Sequence, residues 1–183
     1  LGANVTTSGT QTYSGAVTLS APVTLTTTNS AVSFSNAITG AGQDLTVSTG
    51  SGAITLAAVG TSGARLGALA LNSTGATTLG GAVYAASVES NAGGTIAING
   101  GVVNTTGTQT YREAITLGAN TTLTGSTINT GSTVSGGNNS LTITGNADVD
   151  GAITGVSNLS VSGTSNLGAN VTTSGTQTYS GAV

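Results

Sequence analysis

Cysteine, histidine, lysine, methionine and tryptophan are all missing from this 183-residue chain, and proline occurs once, at Pro22. The lack of cysteine fits a protein that needs no disulfides because its order comes from backbone pairing; it does not fix the compartment. Without histidine or lysine, a general base would have to come from the five carboxylates, Asp44, Glu89, Glu113, Asp148 and Asp150. The cations are Arg65 and Arg112 alone. Two arginines cannot build a phosphate-tracking stripe, which excludes nucleic acid as a partner. Charged residues make up 4% of the chain, against roughly 25% in an ordinary soluble domain. No apolar run approaches the roughly 18 residues of a spanning helix, so membrane insertion is not expected.

What remains is threonine, serine, glycine, asparagine and small aliphatics. Hydrophobic residues reach 37% and aromatics only 3%. Disordered chains have the opposite bias, with many charges and few β-branched residues. Thirty glycines among weak helix formers disfavour helix throughout. The recurring unit is a short alternation of apolar and small polar residues, as in Val23-Thr24-Leu25, Leu45-Thr46-Val47, Ile54-Thr55-Leu56, Ile96-Ala97-Ile98, Ile115-Thr116-Leu117 and Leu141-Thr142-Ile143. Period-two alternation places aliphatics on one strand face and hydroxyls on the other. Each run ends at glycine, asparagine, serine or aspartate, the residues that turn corners.

The chain also repeats itself. Leu1–Val17 reads LGANVTTSGTQTYSGAV, and Leu167–Val183 reads the same, so the sequence restarts at position 167. Residues 1–166 are therefore expected to be one complete unit and 167–183 the start of the next, as in an internal excerpt of a longer tandem array. A shorter echo, GTQTY, begins at positions 9, 107 and 175, and the two intervals are unequal. Such spacing does not suit sandwich domains of about 100 residues set end to end. Coils of about 20 residues fill both intervals. The fold expected is all-β: a parallel β-helix, or β-solenoid, of about eight coils per 166-residue unit, rising about 38 Å. Each coil would stack on its neighbours around a dry aliphatic column, and open strand edges would favour end-to-end stacking.

The strings TSGTQTYSGAVTLSAPVTLTTTNSAVSF, GTQTYREAITLGANTTLTG and SLTITGNADVDGAITG resemble the repeat regions of filamentous haemagglutinin-type adhesins, large bacterial exoproteins usually exported by two-partner secretion. The resemblance covers nearly the whole chain and rests on composition and a loose TQTY-x-x-A-[VI]-TL cassette. It implies a right-handed solenoid, secretion across the outer membrane, and a role at the cell surface or in biofilm.

No catalytic or cofactor-binding set is expected from this inventory. Arg112 and Glu113 are sequence neighbours, pointing to opposite faces of a strand or solvated at a corner. The calcium candidates are Asp148 and Asp150, two carboxylates two apart, with a polar corner between Ile143 and Ile153 as the competing explanation. Tyr13, Tyr111 and Tyr179 share one slot of the cassette. They are read as covering a corner of the core with a wet hydroxyl, with sugar stacking as the functional alternative. Thr24, Thr26 and Thr28 alternate as an ice-binding ladder would, but the outward slots at Ser33, Ala70, Ala97 and Ser160 break the pattern. Sequons such as Asn4-Val5-Thr6 are expected by chance in this composition.

These readings converge on a non-enzymatic structural segment of a long secreted β-solenoid fibre, an adhesin stalk or an extracellular filament at the bacterial cell surface. It would mediate attachment, cell–cell contact or a biofilm matrix. Its expected partners are adjacent repeats end to end, other copies laterally in bundles, and surface glycans. A carbohydrate- or ice-binding surface is the alternative, and a polysaccharide-active enzyme a more remote one.

Overall fold

Strand-forming residues in runs of a few, separated by corner formers, cannot bury an apolar face alone. They do so here by winding. A computed structural model describes residues 1–91 and 93–183, and in it the described chain is β-strand and corner with no helix. All strand pairing between successive windings is parallel, in a twelve-stranded, a nine-stranded and a two-stranded sheet. The expected β-solenoid is thus present, and the nine-stranded sheet counts about nine turns.

Each turn has three faces, most easily followed by their inward residues. The first face runs Val5, Leu25, Val47, Leu71, Ser90, Tyr111, Thr130, Val149, Leu167. The second, the nine-stranded sheet, runs Gln11, Val32, Ile54, Thr77, Ile96, Ile115, Val134, Ile153, Val171. The third runs Val17, Ile38, Val59, Val83, Val103, Leu123, Ile143, Val161, Tyr179. The third face starts as the pair Val17–Thr18 and Ile38–Thr39, then merges with the first. Long strands such as Val83–Ser90, Thr121–Thr130 and Leu141–Val149 bend around the corner between them. The turns are unequal in length: Asn166 follows its neighbour Asp148 by 18 positions, whereas Asn72 follows its neighbour Ser48 by 24.

One continuous core follows from this. Aliphatics from Leu19 to Val161 form a single buried cluster, with Leu1, Val5, Val17, Leu167 and Val171 half-buried against it at the two ends. Each buried Val, Leu or Ile contributes roughly 1.5–3 kcal/mol over an exposed one, and Phe34 and Tyr111 lie wholly buried among them.

The corners explain the asparagine and glycine content. Asparagine side chains stitch one turn to the next: the Oδ1 atoms of Asn4, Asn29, Asn120, Asn146 and Asn158 accept from the backbone N–H of Thr24, Ser51, Ser140, Thr164 and Thr176 at 2.8–3.0 Å. At the corner between third and first faces, Gly107, Gly125, Gly145, Gly163 and Gly181 stack turn upon turn. A Cβ built on Gly125, Gly145, Gly163 or Gly181 runs into the carbonyl oxygen of the glycine one turn earlier.

Candidate functional site

The GTQTY cassette is the most distinctive local device. With period two, the glutamine and tyrosine share the inward face. Gln109 Nε2 donates to the carbonyls of Val103, six residues back, and Thr124, one turn on, at 3.0 and 2.8 Å. Its Oε1 accepts the Tyr111 hydroxyl at 2.9 Å. Gln11 repeats this with Val5, Thr26 and Tyr13, and Gln177 with Val171 and Tyr179. The glutamine thus clamps the inside of a corner, and the tyrosine seals it. This corrects the expected wet hydroxyl at Tyr111, which is wholly buried, so that its ionisation is pushed upward; the Tyr13 and Tyr179 hydroxyls bond their glutamines at less buried positions. Tyr13 stacks on Phe34, centroids 4.5 Å apart. That ring is spent on packing and is not a free sugar platform.

Charges gather around the middle of the chain. Arg112 pairs with Glu89 across one turn, both half-exposed. Arg65 donates to the Asn104 carbonyl at 2.7 Å and lies 5.5 Å from the centroid of Tyr84. Arg112 and Glu113 do point to opposite sides, but Glu113 is not solvated: it is 2% exposed. It occupies the slot filled by Gly15 and Gly181 in the other cassettes, within a corner column otherwise made of small residues, where it abuts Gly94. Neither carboxyl oxygen has a hydrogen-bond partner, and nor does the Ser90 hydroxyl. Burial pushes the carboxyl up to about 7; the nearby Ser90 hydroxyl tempers that rise without reaching hydrogen-bond geometry.

A raised carboxyl makes stability pH-dependent. Between about 4.5, its ordinary value, and about 7, the folded chain keeps a proton that the unfolded chain releases. Stability contributed below that window is therefore lost as pH rises through it. Urea titrations at pH 4.5 and 8 should show the parent losing on the order of 1–3 kcal/mol more than Glu113→Gln. Equal pH slopes in the two proteins would contradict the burial of this carboxyl.

Asp148 and Asp150 are not brought together with further ligands. Asp148 faces outward and accepts from Asn166 Nδ2 at 2.8 Å, while Asp150 lies past the strand end, exposed at the corner. Among the described residues no group of three or more acidic, histidine or cysteine side chains gathers, and no pocket opens.

Thr24 and Thr26 lie outward on Val23–Thr27, and Thr28 falls just beyond that strand. The longer hydroxyl ladder is elsewhere. On the second face, Thr12, Ser33, Thr55, Thr78, Thr116, Ser135 and Thr154 stack outward, interrupted only at Ala97. Reading single segments missed it, because the turns differ in length and the ladder emerges only once the register is known.

Compared with protein-family models, with curated proteins and with solved structures, the chain matches none.

Proposed function

We propose that this chain is a structural segment of a secreted, fibrous β-solenoid, a stalk or filament at a bacterial cell surface, as in the filamentous haemagglutinin-type exoproteins its repeats resemble. The observation that carries the proposal is the behaviour of the recurring cassette. The copy at 167–183 does not close the stack: its strands Val171–Thr173 and Gln177–Tyr179 add as further parallel rungs on Ile153–Val156 and Leu159–Val161. A sequence whose second copy continues the stack is suited to building length. Stiffness comes from backbone hydrogen bonds along the axis, and reach from the number of units. Excising one 166-residue unit from the parent exoprotein should shorten its fibres by about 40 Å, at about 4.8 Å per turn, and weaken cell attachment in proportion to lost reach. Unchanged fibre length would refute the stalk reading.

A second reading is favoured by the second-face ladder. Its uncharged column of outward hydroxyls suits carbohydrate or ice. Glycan-array and ice-affinity measurements separate the two readings, since a stalk segment retains neither ligand.

A further inference from the structure

The 166-residue unit does not contain a whole number of turns. Val5 lies on the first face, and eight full turns later that face is occupied by Leu167. The residue equivalent to Val5 is Val171, which lies on the second face against Ile153. Every part of the cassette agrees. Gln11–Tyr13 is on the second face and its copy Gln177–Tyr179 on the third. Val17 is on the third face, while the end of the second copy lies on the first, where the Ala182 carbonyl accepts from Ser165 N–H at 2.8 Å. The unit is thus eight turns and one face long. The internal echo follows the same logic: Gln109–Tyr111 is on the first face, so the three GTQTY segments occupy all three faces, one each.

We infer that consecutive 166-residue units in a tandem array are turned by one face relative to each other, so that the array returns to its starting face only after three units. This rests on the tandem-fibre reading. The physical basis is local: each rung is placed by the turn beneath it, and identical sequence repeats identical steps from whichever face it starts. The cassette itself demonstrates the tolerance required, since its glutamine holds the carbonyl six residues back and accepts its tyrosine hydroxyl on each face. Three units make 25 turns, about 120 Å at about 4.8 Å per turn.

The consequence concerns partners. The second-face hydroxyl ladder, and the Arg65–Tyr84 and Arg112–Glu89 patches, would pass to the next face with each unit. The ladder of one unit therefore occupies a given face for about eight turns, and its counterpart in the next unit lies on the next face. A flat receptor or crystal surface would meet a given patch once per three units, whereas neighbouring fibres in a bundle would meet it from every side.

The register is tested by disulfide trapping in this chain, which has no cysteine of its own. Thr178 is the common position. If the second cassette is turned by one face, Thr178 stacks on Ser160, its observed partner. If the cassette returned to its original face, Thr178 would lie where Thr12 lies, on the ladder above Thr154. Both spacings occur between neighbouring turns of this fold: Ser160 to Thr178 equals the step from Asp148 to Asn166, and Thr154 to Thr178 equals that from Ser48 to Asn72. Oxidation of Ser160→Cys/Thr178→Cys should give the intramolecular disulfide in most molecules, and Thr154→Cys/Thr178→Cys little, because only strand neighbours fall within disulfide reach. The opposite pattern overturns the inference. Asp148→Cys/Asn166→Cys, paired on the first face, reports that the stack has formed. These outcomes need no filament, so absence of fibres would count against the proposed function and leave the register decided.

Discussion

Gly145→Val should destabilise its part of the stack by about 3 kcal/mol or more, and leave distant turns intact. Two costs combine there. Gly145 has φ +138°, a conformation that L side chains rarely adopt, and a Cβ at this position runs into the Gly125 carbonyl oxygen. That carbonyl belongs to a backbone one rung away, which cannot move without breaking the ladder on either side. Gly15→Ala is the matched control, since a Cβ there meets nothing and its φ is ordinary; its effect should fall within about 0.5 kcal/mol. Because each turn touches only its neighbours, hydrogen exchange is the right measurement. Amides of residues 125–163 should lose protection while those of 23–71 keep theirs. Uniform loss along the chain would show that the turns do not behave as local units.

Tyr111→Ala should cost roughly 3–5 kcal/mol, and Tyr111→Phe only about 1–2 kcal/mol. The first removes a wholly buried ring from the bore. The second keeps the ring and strips Gln109 Oε1 of its donor, while the amide still holds the Val103 and Thr124 carbonyls. The same truncation at Tyr179 should cost far less, because that ring is only partly covered. Urea unfolding followed by tyrosine fluorescence and far-ultraviolet dichroism measures all three. Equal losses for the Ala and Phe variants would mean that the hydrogen bond, and not the ring, dominates the corner.

The architecture was largely legible. Runs such as Leu45-Thr46-Val47 and Leu141-Thr142-Ile143 alternate with period two, and they are inward-outward-inward strands. The chain turns its corners at the glycines and asparagines that end those runs. Two local features could have been read and were not. Gln11 and Tyr13, two apart, must share a face, so an inward tyrosine implied an inward glutamine able to receive its hydroxyl. Glu113 replaces a glycine of the sister cassettes, a signal that it enters a corner built for a small residue.

The face assignment was beyond the sequence for a physical reason. Turns here vary from the 18 positions between Asp148 and Asn166 to the 24 between Ser48 and Asn72. An uncertainty of one position per turn accumulates, over eight turns, to more than a face. Only the backbone register distinguishes eight turns from eight turns and a face, and with it the true course of the hydroxyl ladder. A count of about eight coils per unit is correct as a count, but it conceals the rotation.

Electron cryo-microscopy of the native fibre tests the central claim most directly. A layer line at about 4.8 Å along the fibre axis, with an axial rise of about 40 Å per unit, is the result expected of stacked turns extended by recurring cassettes. Compact, separate particles lacking that short axial order would contradict it.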